Sequence, residues 1–204
     1  GVSGNGQSEL IRCITGLEKV DTGNVIINNK DITNNNVRDI REAGIAHVPE
    51  DRYMWGSAPD ATLAENALMG YEDSDEFSKK GILNTDKVIN HAINLISKFR
   101  VKADSYSQKI KELSGGNAQK LIVAREMSKE TPLIIACEPT RGIDIGAIEF
   151  IHDQLVEKRN NGDSVLLVSS ELSEIMDLSD RIYVIYEGEI VGEFKRGSID
   201  EKAL

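Results

Sequence analysis

Three short stretches of this chain carry residue types and spacings suited to gripping an anion and aiming water at it. The first, GVSGNGQSE (Gly1–Glu9), sets glycines at Gly1, Gly4 and Gly6, with Asn5 between them, ahead of the hydroxyl residue Ser8. It matches the phosphate loop G-x-x-x-x-G-K-[ST] except that Gln7 stands at the lysine position. Glycines let backbone N–H groups converge on an anion, and a helix starting near Ser8 adds its positive end. Alone, the stretch is equally a glycine-rich turn. The second, LSGGNAQK (Leu113–Lys120), places Ser114, Gly115, Gly116 and Asn117 at the head of a helical run. A plain N-cap accounts for the serine but poorly for the glycine pair. The third, PLIIACEPTRGID (Pro132–Asp144), is an apolar run ending in an acid, Glu138, which could hold a metal or orient a water. A lone acid after a strand is more often a solvated loop residue, but three such stretches in order are far more specific than one.

These stretches sit at the ends of regular elements. Strand-like runs recur at NVIIN (Asn24–Asn28), GIAHV (Gly44–Val48), PLIIA (Pro132–Ala136), SVLLV (Ser164–Val168) and RIYVIY (Arg181–Tyr186). LIIA and VLLV are continuous rather than alternating, as strands covered on both faces are. Helical periodicity falls between them, over Gly116–Lys129 and over Ile145–Asn160, where Ile148, Ile151, Leu155 and Arg159 share a stripe. Strands alternating with helices predict an α/β fold with a mostly parallel sheet. Residues Ser57–Glu112 break the rhythm and read as a helical lobe (57–112) inserted into a core made of 1–56 and 113–204.

Composition narrows the function classes. The chain has 204 residues and a net charge of −10, which argues against nucleic acid or an anionic lipid surface as the main partner. Cys13 and Cys137 are too few and too isolated for a disulfide framework or a zinc site. The apolar runs fall far short of the roughly 18 residues that suggest a membrane span, so no direct lipid insertion is expected. The sequence lacks an initiator Met and begins inside the glycine loop, and so reads as an N-terminally incomplete piece of something longer.

Taken with HVPEDR (His47–Arg52) and VLLVSSELSEIMDLSDRI (Val165–Ile182), the three stretches resemble the nucleotide-binding domain of an ABC transporter over essentially the whole chain. LSGGN is similar to the family's signature, RGID (Arg141–Asp144) to its D-loop, HVPEDR to its Q-loop region and VSSEL to its switch. GNGQSE, PEDR, LSGGNxQK, EPTRGID and SSEL together resemble the second, C-terminal ATPase half of bacterial sugar- and nucleoside-uptake importers, in which two halves are fused in one polypeptide. GAIEFIHDQL and YEGEIVGEF look closest to the nucleoside and simple-sugar branch. The resemblance implies a P-loop NTPase core with a mostly parallel sheet, a partial antiparallel β lobe and an inserted helical lobe. It also implies ATP and Mg2+ as cofactors, the other ATPase half bound head to tail, transmembrane permease subunits as partners, and a place on the cytoplasmic face of the plasma membrane.

Carried over residue by residue, the resemblance gives Gly1, Gly4, Asn5, Gly6, Gln7, Ser8 and Glu9 to this chain's own phosphate loop. Ser8 and Glu50 become the magnesium-side positions, Glu138 the base, and Ser170 the switch. Ser114, Gly115, Gly116, Asn117 and Asp144 would serve nucleotide held by the partner half. Departures from the family pattern gather on the chain's own pocket. Gln7 replaces a lysine, and a hydrogen bond to a charged group contributes about 1.5–3 kcal/mol against roughly 1 for a neutral one. Cys137 stands for the Walker B aspartate, a poor substitute for the hard oxygen that magnesium prefers. Ser170 stands for the switch histidine and Glu50 for the Q-loop glutamine. One such change would be drift; together they predict a degenerate pocket beside an intact LSGGN. The competing readings are an autonomous homodimeric ATPase, a nucleotide-binding structural module without hydrolysis, and an ABC protein of chromosome maintenance or translation. The last fits less well for want of a coiled-coil insertion and a basic surface. The loop around Pro49–Trp55 and the helical lobe are the expected docking surface, with Tyr53 and Trp55 either contacts or packing caps.

Overall fold

The structure, a computed structural model, describes residues 4–198. The chain runs α1 (Gln7–Ile14), β1 (Ile26–Ile27), β2 (Lys30–Asp31), α2 (Val37–Glu42), β3 (Ile45–Val48) and α3 (Leu63–Leu68). It continues through β4 (Ser78–Lys79), β5 (Ile82–Leu83), α4 (Thr85–Lys98), a 3-10 turn (Ile110–Glu112) and α5 (Gly115–Met127). The last third holds β6 (Leu133–Cys137), α6 (Ile145–Asn160), β7 (Ser164–Val168), α7 (Leu172–Leu178), β8 (Arg181–Tyr186) and β9 (Glu189–Lys195). The α/β class expected from the alternation of strands and helices is what is found. Two compact units divide the chain.

The first unit comprises the described residues up to His47, Thr131–Glu138 and the described residues from Val156 onward. Its sheet has the order β3-β6-β7, with β6 and β7 parallel and in register from Leu133↔Ser164 to Cys137↔Val168. Ile11, Ile32, Ile40, Ile45, Ile135 and Cys137 form one buried cluster, so α1 and α2 pack where the sheet is most apolar. The expectation for VLLV needs correcting. VLLV is only half-buried along its length, because β7 is the outer strand of this sheet whereas β6 is central. RIYVIY forms the expected strand, β8, which pairs antiparallel with β9 in a separate hairpin. On α6 the buried polar position is Lys158 rather than Arg159, and its Nζ donates to the Thr131 carbonyl (2.8 Å) and to Asp163 (2.9 Å).

The second unit comprises Val48–Glu130 and Pro139–Leu155. Here α3 begins with a capping box: Thr62 Oγ1 accepts from Glu65 N while the Glu65 carboxylate accepts from Thr62 N. Asn66, 1% exposed, directs its side chain back to the preceding loop, accepting from Ala58 N and donating to the carbonyls of Ala58 and Thr62. α5 is buried on nearly every side, through Ala118, Leu121, Ile122, Val123 and Ala124. The β4–β5 hairpin interrupts the otherwise helical 57–112 stretch and leaves Ile82 and Leu83 exposed.

In α4, His91 packs edge-on against Phe77, with ring centroids 4.9 Å apart, and its buried Nε2 has no hydrogen-bond partner. Burial holds its pKa below the usual imidazole value, against the opposing pull of Glu76 and a bond to the Ala67 carbonyl. The folded state therefore binds a proton less readily than the unfolded state, whose imidazole titrates near ~6.5. This contribution to stability is full above the unfolded value and is lost as pH falls through the folded one. The urea midpoint of the native chain should accordingly fall between pH 7.5 and 5.5 by more than that of His91→Gln. Equal pH dependence in the two would refute it.

Candidate functional site

The glycine loop opens directly into α1, with Gly6 at the N-cap in the left-handed region (φ 102°). A Cβ on Gly6 would come within 3.0 Å of Gly188 Cα, so the β8–β9 turn closes against the loop. Asn5 fastens that contact: its carbonyl accepts from Gly188 N (2.9 Å) and its Oδ1 from Glu187 N (3.2 Å). Gln7 turns inward, and its Oε1 accepts the Asn5 N–H at 3.3 Å. A lysine could make no such bond, having no acceptor. One of the amides that a phosphate would use is thus occupied by the residue at the cation position. Ser8 and Glu9 are exposed on the first turn, where Glu9 pairs with Arg12 (3.3 Å). Gly4 is described and exposed; Gly1 lies outside the described residues.

At the end of β6 the backbone makes a sharp change. Cys137 is 6% exposed and belongs to the apolar cluster, with its sulfur 3.9 Å from His47 Nε2. A thiol in such surroundings behaves as a small hydrophobe and offers no hard oxygen to magnesium. Glu138 follows at φ 46°, a left-handed conformation rare for a non-glycine residue, and its N–H donates to the Val168 carbonyl (2.7 Å). That backbone turn delivers its carboxylate to the β7–α7 junction. There Ser170 takes both oxygens: its N–H donates to Oε1 (2.7 Å) and its hydroxyl to Oε2 (2.9 Å). The residue at the base position and the residue at the switch position are therefore paired with each other.

In the second unit, Ser114 occupies the N-cap of α5, yet its hydroxyl makes no capping bond. Instead Ser114 Oγ accepts from Asn117 Nδ2 (2.9 Å), while Asn117 Oδ1 accepts from Lys102 N (2.8 Å). Since the Ser114 oxygen accepts from Asn117, its hydroxyl keeps its donor for another acceptor, and the first-turn amides receive nothing from the Ser114 side chain. A hydroxyl donor on the exposed Ser114 and the uncapped first-turn amides with their helix dipole lie side by side, an arrangement suited to a phosphate oxygen. A side chain at either glycine would have to displace a neighbouring side chain. A Cβ on Gly115 would lie 2.7 Å from Arg52 Nη1, and one on Gly116 would lie 2.7 Å from Asp144 Oδ2. Asp144 is held in turn by Ala147 N, which donates to its Oδ1 (3.0 Å) at the start of α6.

Glu50 falls in this second unit and Ser8 in the first. Glu50 Oε1 accepts from Arg141 Nη1 at 2.9 Å, an ion pair between exposed groups. Among the described residues, no group of three His, Cys, Asp or Glu side chains could hold a metal ion. The structure thus groups the predicted residues as the loop 4–9, the Glu138–Ser170 pair, and the Ser114–Asn117 and Asp144 cluster. Two further side chains join this cluster, Arg52 and Arg141; they lie inside the HVPEDR and RGID motifs, but nothing in those motifs marks them as contacts of the site.

A family model described as an ABC transporter matches residues 1–141. The nucleoside import ATP-binding protein NupA of Lactococcus lactis subsp. cremoris is 46% identical over 192 residues, covering 94% of this chain and 38% of that protein. The guanosine import ATP-binding protein NupO of Bacillus subtilis is 44% identical over 204 residues, covering 100% of this chain and 40% of its own length. The chain thus spans 38–40% of the length of these relatives. Among solved structures, a nucleotide-free ATP-binding cassette from an ABC transporter superposes with a TM-score of 0.81 at 25% identity, over 100% of this chain and 83% of that one. A dimeric cassette in a post-hydrolysis state bound to ADP and Pi superposes with a TM-score of 0.80 at 25% identity, over 98% of this chain and 84% of its own.

Proposed function

The chain belongs to the ABC transporter family, and on that premise we propose that it is the second ATPase half of a nucleoside or simple-sugar importer, working through the ATP site of its partner half. The family's reaction is ATP hydrolysis. In this reading Ser114, Gly115 and Gly116 bind the γ-phosphate of ATP held by the partner's phosphate loop, and Asp144 faces the same junction. The observation that carries it is the N-terminus of α5, where Ser114 holds the cap position without capping and so keeps its donor and the helix amides available to an anion. The names of the relatives support the solute class, since both act in nucleoside or guanosine import. No described helix is long and apolar enough to cross a membrane. Separate permease subunits as partners, and a position at the cytoplasmic face of the membrane, belong to the same proposal.

The chain's own pocket takes little part in hydrolysis. Gln7 brings no charge to the phosphates, Cys137 is a core residue, and the Glu138 oxygens are both engaged by Ser170. This donor set does not fit a hydrated magnesium ion, so no step is assigned to it. Phosphoryl transfer depends chiefly on positioning and electrostatic stabilisation, and both are weakened here. Helical-lobe residues 57–112 and the Tyr53–Trp55 turn form the surface offered to the permease; Tyr53 and Trp55 are 40% and 56% exposed. The test is Glu138→Gln in the complete polypeptide, with phosphate release as the readout. Turnover should stay within twofold of the native protein. A loss of tenfold or more would assign the base role to this pocket and favour an autonomous ATPase.

A further inference from the structure

A closed turn follows β3. Asp51 Oδ1 accepts from Tyr53 N (3.0 Å) and Met54 N (2.9 Å), and the Asp51 carbonyl accepts from Trp55 N (3.0 Å) and Gly56 N (3.2 Å). These bonds turn Tyr53, Met54 and Trp55 outward, at 40%, 70% and 56% exposure. Arg52 departs in another direction. Its Nη2 donates to the Arg141 carbonyl, and its Nη1 lies where a Gly115 side chain would be, 2.7 Å from the position of that Cβ. The Gly142 carbonyl borders the same spot, 3.4 Å from it. At the other end, the Arg52 carbonyl accepts from Ser57 Oγ (2.7 Å), which fixes the root of the side chain. The loop it grips leads within three residues to Asp144, whose carboxylate lies against Gly116. Glu50 adds a second tie to this loop through Arg141 Nη1.

We propose that Arg52 is a positioning residue for the Ser114–Gly116 phosphate site, joining the exposed Tyr53–Trp55 turn to the Arg141–Asp144 loop and the first turn of α5. The guanidinium suits the task because its fork serves two places at once: one arm holds a carbonyl and the other covers the glycine. A lysine ammonium is a single point donor and can reach only one of them. The absence of a Cβ at Gly115 is what lets the guanidinium sit so close. Its ion-pair companion is of a different kind. The exposed Glu50–Arg141 pair contributes little by itself, so the link depends on Arg52.

This inference rests on the signature reading given under Proposed function, and its test is built to separate the two. The complete two-half protein is assayed with its permease in vesicles as Arg52→Ala, Arg52→Lys and Ser114→Ala. Arg52→Ala should lower kcat for ATP at least tenfold with KM within twofold. Trp55 emission, isolated as the difference from Trp55→Phe, should shift when a nonhydrolysable ATP analogue is added and should cease to shift in Arg52→Ala. Arg52→Lys keeps the cation and the stem, serves if the alanine variant unfolds, and should restore kcat only in part. Loss of turnover in Ser114→Ala but not in Arg52→Ala overturns the inference and leaves the signature reading standing. Loss in neither overturns that reading and the inference with it. A full rescue by Arg52→Lys shows that charge alone suffices and also overturns the positioning role.

Discussion

Ser114→Ala in the complete two-half polypeptide is expected to lower ATP turnover by about 10²-fold, the usual effect of removing one donor aimed at transition-state charge. The expectation follows from how the hydroxyl is used. At an ordinary N-cap the serine oxygen bonds a first-turn amide, and its removal costs about 1 kcal/mol of helix stability. Here no capping bond exists, and the side-chain bond lost among the described residues is the one accepted from Asn117 Nδ2. Folding should therefore be nearly unaffected while the chemistry suffers. The two effects can be read separately, by phosphate release at saturating ATP and by urea midpoint. Ser114→Thr, which keeps a hydroxyl, should retain most of the activity. A drop smaller than twofold in Ser114→Ala would mean that the α5 N-terminus does not meet the reacting phosphate.

The parts of the fold that sequence could reveal are those encoded locally. LIIAC reads as a central strand because every position must be apolar there, and β6 is indeed buried along nearly all its length. RIYVIY has the same β-branched and aromatic content, yet its pairing depends on the next seven residues and on a two-residue turn. Both turn residues have positive φ, 47° at Glu187 and 82° at Gly188, as a type I′ hairpin turn requires. Glutamate is an unusual choice at the first of these, so the hairpin lacked its ordinary Asn-Gly or Asp-Gly signal. The site follows the same division. Ser114 and Glu138 are legible because each sits at a motif's fixed offset. That Ser170 takes both oxygens of Glu138 is not, because the bond spans 32 residues and depends on the left-handed backbone at Glu138. Arg52 was likewise hidden: its targets are a carbonyl and the space above a glycine, and neither leaves a mark in residue type.

The largest effect on stability is expected inside α5 itself. Arg125 and Glu126 are 4% and 1% exposed, joined by a bond of 2.8 Å from Nε to Oε1. Arg125 Nη1 also donates to the Asn66 carbonyl (3.2 Å), tying α5 to α3. Arg125→Ala strips Glu126 of this guanidinium in a buried setting and should destabilise the protein by about 3–5 kcal/mol, the range for breaking a buried ion pair from one side. Removing both charges has a different consequence. An apolar pair of similar volume escapes the desolvation penalty altogether, so Arg125→Met combined with Glu126→Leu should recover much of the loss. The two substitutions should then be strongly non-additive in urea midpoints measured at constant m-value, as residues in direct contact are. Should the double variant prove as unstable as Arg125→Ala, the cost would lie in the Asn66 carbonyl left without its donor and in lost packing, not in the loss of the guanidinium to the carboxylate. In that case Arg125 acts as the fastener between α3 and the helix whose first turn carries Ser114, and Glu126 serves to keep its guanidinium in place.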